Sequence, residues 1–249
     1  MNAIADNAYS KNLRVWGDKL RESKPRAVIC FSAHWETDGL QVLTSAEPRT
    51  IHDFYGFPRP LFEIQYRAKG EPGLADRVLH LLEHEAITGT TQWGFDHGVW
   101  SVMRHMWPQA DMPIVMISLA KRLDPETHFR VGQLLKPLRD DGVIILGSGN
   151  IVHNLKEIQW DEAASPFPWA VEFDAKIKKA IESRDEKTLI SASRASDSAA
   201  RKSVPSREHY LPLIPVLGAT EASEVPLFIT EEIQNGSVAM RSVVFGYEV

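Results

Sequence analysis

The sequence predicts an α/β fold: a central, mostly parallel or mixed β-sheet flanked by helices, in a single domain over residues 1–249. Short β-rich apolar runs recur at residues 27–31, 113–119 and 143–146. Segments with apolar residues at helical spacing lie before and between them. Strands alternating with helices in this way build sheets whose parallel neighbours are joined by helical crossovers.

Taken in order, residues 7–20 place Leu13, Trp16 and Leu20 at helical spacing. The run 27–31 follows Lys24-Pro25, precedes polar residues and reads as a buried strand. Cys30 within it is the sole cysteine, so no internal disulfide forms, and its apolar setting predicts a buried, inert thiol. Residues 40–44 alternate weakly and read as a second strand, whereas 46–73, rich in Pro, Gly and aromatic residues, read as a long loop of the kind that often carries function. Pro72 suits a helix start, and Leu74, Val78, Leu81 and Leu82 make an apolar stripe over 73–85. A helix over 97–107 is stopped by Pro108; a strand over 113–119, a helix over 125–139, a turn at Asp141-Gly142 and a strand over 143–146 come next.

Beyond Gly147 the pattern is less regular. Residues 167–182 read as a helix, 184–206 as a polar helix-and-loop stretch, and 207–219 as a helix interrupted by Pro212 and Pro215. The last strands are expected over 225–230 and 237–245. No internal repeat or linker divides the chain.

Composition narrows the function classes. The 249 residues are 43% hydrophobic and 24% charged, with 28 basic against 33 acidic side chains and a formal charge of −5. The sign of that charge and the lack of a Lys/Arg block argue against a nucleic-acid partner. No apolar run approaches the roughly 18 residues of a membrane span. The first residues carry neither a basic nor an apolar leader segment, so a cytoplasmic location is expected.

Chemistry rests on the histidines, nine in all. His34 comes after the first strong strand and His153 after the strand at 143–146. Ligands in open α/β sheets bind beyond the carboxyl ends of strands, so the two read either as part of a metal site or as hydrogen-bonded structural residues. His97 lies in Trp93-Gly94-Phe95-Asp96-His97-Gly98; Asp96 reads either as an acceptor for the His97 ring or as the cap of the helix that begins there. His52 and His209 stand in aromatic, Pro-containing segments typical of pocket loops. His80 and His84 are four apart, but without a His-Glu-x-x-His arrangement they read as a solvated helix face, and His105 and His128 fall on helices as well. Trp35, Phe54, Tyr55, Phe57, Trp93 and Trp169 read as pocket lining or as core. No Gly-x-Ser-x-Gly elbow, P-loop or dinucleotide fingerprint is present, and Gly147-Ser148-Gly149-Asn150 is only a weak anion-binding turn.

Read together, Ser32-Ala33-His34-Trp35, Thr50-Ile51-His52-Asp53-Phe54, Gly94-Phe95-Asp96-His97-Gly98, Gly149-Asn150-Ile151-Val152-His153-Asn154-Leu155 and Glu208-His209-Tyr210-Leu211-Pro212 resemble one family. It is the 4,5-DOPA extradiol dioxygenase family, within the class III ring-cleaving dioxygenases. The resemblance spans nearly the whole chain in the family's motif order.

That resemblance implies one divalent ion, Zn2+ or Fe2+, held mainly by histidines, with a small aromatic diol and O2 as reactants. His34, His153 and His209 map to metal positions, and His153 also maps to an acid/base residue. His97 maps to a second acid/base residue, and His52 and Asp96 to the substrate side. A catechol that chelates the metal loses phenolic protons to a base such as His153 or His97, and the ring opens beside its two hydroxyls.

Members of the family begin with a strand ending in Gly-His-Gly-Ser-Pro, whose histidine is a ligand; here Met1-Asn2-Ala3-Ile4-Ala5-Asp6-Asn7 resembles the segment immediately after that motif. The resemblance therefore implies an N-terminally truncated chain with weak metal binding, poor turnover and an exposed sheet edge that favours a homodimer. Two further readings stand beside it. One is a metal-dependent hydrolase with Glu208 as base; the other is a catalytically impaired member that kept the scaffold.

Overall fold

The structure is a computed structural model that describes residues 2–161, 163–194 and 197–247. The fold is α/β, as predicted, and the chain divides into two compact units. Unit 1 comprises Met1–Leu123 and Leu134–Ser148; unit 2 comprises Asp124–Gln133 and Gly149–Val249.

Unit 1 begins with α1 (Ala8–Glu22), which Asn7 and Ser10 start through a reciprocal capping box. It continues through β1 (Ala27–Thr37), β2 (Gln41–Leu43), α2 (Pro72–Leu81), β3 (Thr88–Thr90), α3 (His97–Met106), β4 (Ile114–Ala120) and β5 (Val143–Ser148). The strands form one sheet in the order β3-β2-β4-β1-β5. β1 runs parallel to β4 and β5, β2 runs parallel to β3, and β2 meets β4 antiparallel, so the sheet is mixed. Strand β3, Thr-Gly-Thr, has no counterpart in the sequence reading, because three residues around a glycine carry no periodicity.

β1 also runs six residues past the end predicted at Phe31. Its first seven residues are buried, Ser32 included. A serine ends an apolar run in sequence, yet it stays inside here because its hydroxyl has a buried acceptor in Asp96. The β1–β4 register then breaks: Phe31 pairs with Ile117 and Glu36 with Leu119, so five steps along β1 match two along β4. Bulges of this kind bend a strand and re-aim its side chains. His34 lies inside the bulge.

The core on one side of the sheet joins Val28, Cys30, Ile114 and Met116 to Val99, Trp100 and Met103 of α3 and to Trp107 just beyond it. Cys30 has no solvent exposure, and burial, with the Asp96 charge adding to it, pushes its thiol pKa well above the ordinary range. It is the inert thiol expected.

The long loop 46–73 is irregular but stitched. Ile51 N–H donates to Phe95 O (2.7 Å), Phe95 N–H to Arg49 O (2.8 Å) and Gly70 N–H to Ala46 O (3.0 Å). Trp100 Nε1–H donates to Ile51 O (2.9 Å), and the Tyr66 hydroxyl to Trp107 O (2.9 Å).

Unit 2 holds α5 (Pro168–Glu182), α6 (Glu186–Ala192), α7 (Ser198–Ser203) and α8 (Leu213–Gly218), with β6 (Leu227–Thr230), β7 (Ile233–Gln234), β8 (Val238–Ala239) and β9 (Ser242–Val244). The strand expected over 237–245 is two strands: β8 returns on β7, and β9 pairs antiparallel with β6. Asn235 and Gly236 both take positive φ, which lets β7 turn tightly into β8. Arg241, between β8 and β9, is buried in an ion pair with Asp174 of α5. Among the described residues no helix is long and apolar enough to cross a membrane.

The helix α4 (Pro125–Leu135) carries His128, almost fully buried, with Nδ1–H donating to Asp124 O at 2.9 Å. Burial lowers its pKa, opposed by that hydrogen bond. The unfolded chain therefore takes up a proton below about pH 6.5 that the folded chain refuses, so this contribution is present above that pH and is lost as pH falls. His128→Asn keeps a donor and cannot titrate; thermal melts of the two proteins from pH 7.5 to 5 should show a shallower acid-side decline in the variant.

Candidate active site

Asp96 sets the frame in unit 1. Its side chain caps α3, accepting Val99 N–H at 3.2 Å, and also accepts Ser32 Oγ–H at 2.7 Å and Trp93 Nε1–H at 3.1 Å. The cap reading of Asp96 thus holds, and the partner of the His97 ring is a different residue. Asp96 has no solvent exposure and all three of these partners belong to the protein, so on this geometry it braces β1 against α3 rather than facing a substrate. Burial pushes its pKa up to about 6; the Ser32 and Trp93 hydrogen bonds oppose the rise and the Asp53 charge adds to it.

The residue that meets His97 is Asp53, from the stitched loop. Its Oδ2 lies 2.9 Å from His97 Nδ1 and 3.3 Å from His34 Nδ1, and its Oδ1 accepts the His97 backbone N–H at 2.8 Å. The two imidazole centroids are 3.8 Å apart. Burial alone raises the Asp53 carboxyl, but the hydrogen bonds from His97 and the charges of both histidines outweigh it and hold the pKa below the ordinary carboxylate value. The three side chains retain 24%, 16% and 21% exposure for His34, Asp53 and His97, so solutes reach them.

An aromatic wall stands beside this cluster. Phe54 meets the His97 ring edge-on at 5.4 Å and packs against Phe62 at 4.9 Å and Phe57 at 5.6 Å. His52 adjoins Phe54 and Trp100, with Nε2–H donating to Ile64 O at 2.9 Å. Trp35 stacks on Trp93 at 5.9 Å.

Unit 2 holds a second pair. The rings of His153 and His209 stack 3.4 Å apart at 11°. Asn150 orders the pair: its backbone N–H donates to His209 O at 2.8 Å, its Oδ1 lies 3.3 Å from His209 Nδ1, and its Nδ2 donates to Ala239 O at 2.8 Å. His153 N–H donates to Ser203 O at 2.9 Å. A side chain at Gly149 would collide with the His209 carbonyl, so Gly-Asn here serves close backbone approach. Glu208 accepts from Ser206 on an exposed surface, which gives no support to its role as a hydrolytic base. His80, on α2, and His84, in the short 3-10 turn Glu83–Glu85 beyond its end, are 80% and 93% exposed, so both are solvated as expected but do not share one helix face.

A family model described as the catalytic LigB subunit of aromatic ring-opening dioxygenase matches residues 1–246. The chain belongs to the LigB family. It is an enzyme of the aromatic ring-opening dioxygenase kind, and the resemblance read from its five histidine-containing blocks holds. The chain is 38% identical over 250 residues to 4,5-DOPA dioxygenase extradiol of Escherichia coli (strain K12), covering 99% of this chain and 91% of that one. It is 34% identical to 4,5-DOPA dioxygenase extradiol of Beta vulgaris, covering 98% and 92%. The crystal structure of an uncharacterized Escherichia coli K12 protein superposes with a TM-score of 0.83 at 35% identity, covering 96% of this chain and 93% of that one.

For a LigB dioxygenase the unit 1 cluster has a fitting donor set. His34, Asp53 and His97 bring two imidazole nitrogens and a carboxylate oxygen within 4.8 Å of one another, the donor types of non-haem iron sites. Asp53 is the residue that sequence reasoning passed over; its place beside His52, in a loop rich in aromatics, was the available signal.

Gly98 offers a test of this geometry. A Cβ there would strike Ser32 Oγ and lie 3.0 Å from His34 Cδ2. In a free helix Gly→Ala gains up to about 1 kcal/mol. In α3, Gly98→Ala is expected instead to cost about 1–3 kcal/mol through overpacking, a Tm drop of several degrees. Metal content should fall with it, checked by calorimetry and elemental analysis.

Proposed function

We propose that the chain is an extradiol dioxygenase that opens a catechol, DOPA-like or a related aromatic diol, using one non-haem divalent ion, Zn2+ or Fe2+, and O2. The observation that supports this reading best is the His34–Asp53–His97 cluster beside an aromatic wall, in a chain of ring-opening dioxygenase family. His34, His153 and His209 are the histidines assigned to the metal, with His97 and His153 as acid/base residues and His52 on the substrate side. Cys30, buried and alone, fits a reducing cytoplasm. The assigned working form is one catalytic domain over residues 1–249, acting as a homodimer on small molecules and without a nucleic-acid partner.

A bound divalent ion supplies Lewis acidity that lowers the pKa of a coordinated hydroxyl and keeps positions open for exogenous ligands. The chain's own residues do the rest. His97, with Nδ1 turned to Asp53, presents Nε2 as the atom that takes a phenolic proton. Phe54, buried and edge-on to that imidazole, backs the ring and keeps water from that side of it. In unit 2 the His153 and His209 rings stack on one another, which sets the acid/base histidine of this reading directly against a histidine assigned to the metal.

Oxygen-electrode assays with Fe2+-loaded protein and a catechol test the reading. Uptake of one O2 per diol is expected, with His97→Ala and His153→Ala each lowering kcat by about 100-fold or more, the scale of general acid–base catalysis. His34→Ala and His209→Ala should lose bound metal by elemental analysis. No oxygen uptake together with ester hydrolysis would assign the hydrolase instead, and neither activity would leave the impaired member.

A further inference from the structure

Asp53 is hydrogen-bonded to His97 through both its oxygens and lies against the His34 ring with one of them. Oδ1 takes the His97 backbone N–H at 2.8 Å, which fixes the carboxylate plane; Oδ2 then faces Nδ1 of His97 at 2.9 Å and Nδ1 of His34 at 3.3 Å. A carboxylate oxygen accepts and does not donate. A ring nitrogen so close to Oδ2 carries its proton there, because a bare nitrogen would set one lone pair against another. We infer that Asp53 is a positioning residue that imposes the Nδ1–H tautomer on His34 and His97 together, so that each ring carries its lone pair on Nε2.

The backbone supports the same arrangement. His34 N–H donates to Ser32 Oγ at 3.2 Å, and the α3 backbone at Gly98 leaves no room for a Cβ beside Cδ2 of His34. The His34 ring is therefore braced from behind while one carboxylate sets the polarity of both rings. Carboxylate–histidine pairs of this kind fix the tautomer and the orientation of an imidazole. The alternative use of the cluster has Asp53 and one nitrogen of each ring as ligands, Nδ1 being the nitrogen that each ring turns to Asp53. The two uses differ in where the protons are: kept on Nδ1 in the first, lost from Nδ1 in the second. What Nε2 then does, binding metal at His34 and taking a proton at His97, rests on the ring-opening reading above.

Nitrogen-15 NMR of the full chain with labelled histidine, recorded before and after Zn2+ addition, tests the inference. The metal-free spectrum should show Nδ1–H for His34 and His97. Zinc should move the Nε2 resonance of His34 and leave its Nδ1 proton in place. Asp53→Asn, which presents an amide N–H where an acceptor stood, should turn one ring to Nε2–H and weaken Zn2+ binding by about 10- to 100-fold. Zinc-induced loss of the Nδ1 protons overturns the inference and makes Asp53 a ligand, as does an Nε2–H tautomer in the metal-free wild type. Should Asp53→Asn fail to fold, the wild-type spectra decide alone. Absent oxygen uptake with the tautomers as stated would count against the ring-opening reading and not against this one.

Discussion

Asp96 accepts from the hydroxyl of β1, from an indole and from the first turn of α3, all without contact with solvent. A buried carboxylate is costly unless its lone pairs are used, and here they are. The same bonds make the site's geometry. Ser32 is held inside β1, its oxygen receives the His34 backbone N–H, and α3 starts where His97 faces Asp53. Were this carboxylate removed, each buried donor left behind would cost about 1–3 kcal/mol, and the two imidazoles would lose the frame that spaces them.

The histidines of each unit do different things with similar parts. In unit 1 one carboxylate lies against the Nδ1 edges of two tilted, touching rings and gives both the same polarity. In unit 2 two rings lie flat on one another with an asparagine, not a carboxylate, at the edge of one. An asparagine side chain both donates and accepts, so it orders a ring edge without adding a charge.

The long elements were legible because their patterns are long. α1 and α3 show helical spacing, β4 is a continuous apolar run, and the alternation between them gave the α/β class. What escaped has a physical reason in each case. β3 is three residues around a glycine, and the break between β8 and β9 depends on a buried Arg241–Asp174 pair that joins residues far apart in sequence. The extension of β1 past Phe31 depends on a partner for Ser32 that lies 64 residues further on. The histidine blocks could be read one by one, because they are local. Asp53 could not be given its role, because that role exists only where the loop brings it against His34 and His97.

Irregular backbone and loose backbone are different things, and residues 46–73 show the difference. The segment has almost no repeating structure, yet its amides and carbonyls are tied to residues 95 and 100, and its Tyr66 hydroxyl to residue 107. An aromatic molecule arriving at this loop meets a backbone whose conformational entropy was surrendered when the chain folded. Binding there need not order the loop first, so little of the gain from burying a ring is spent on immobilising the protein.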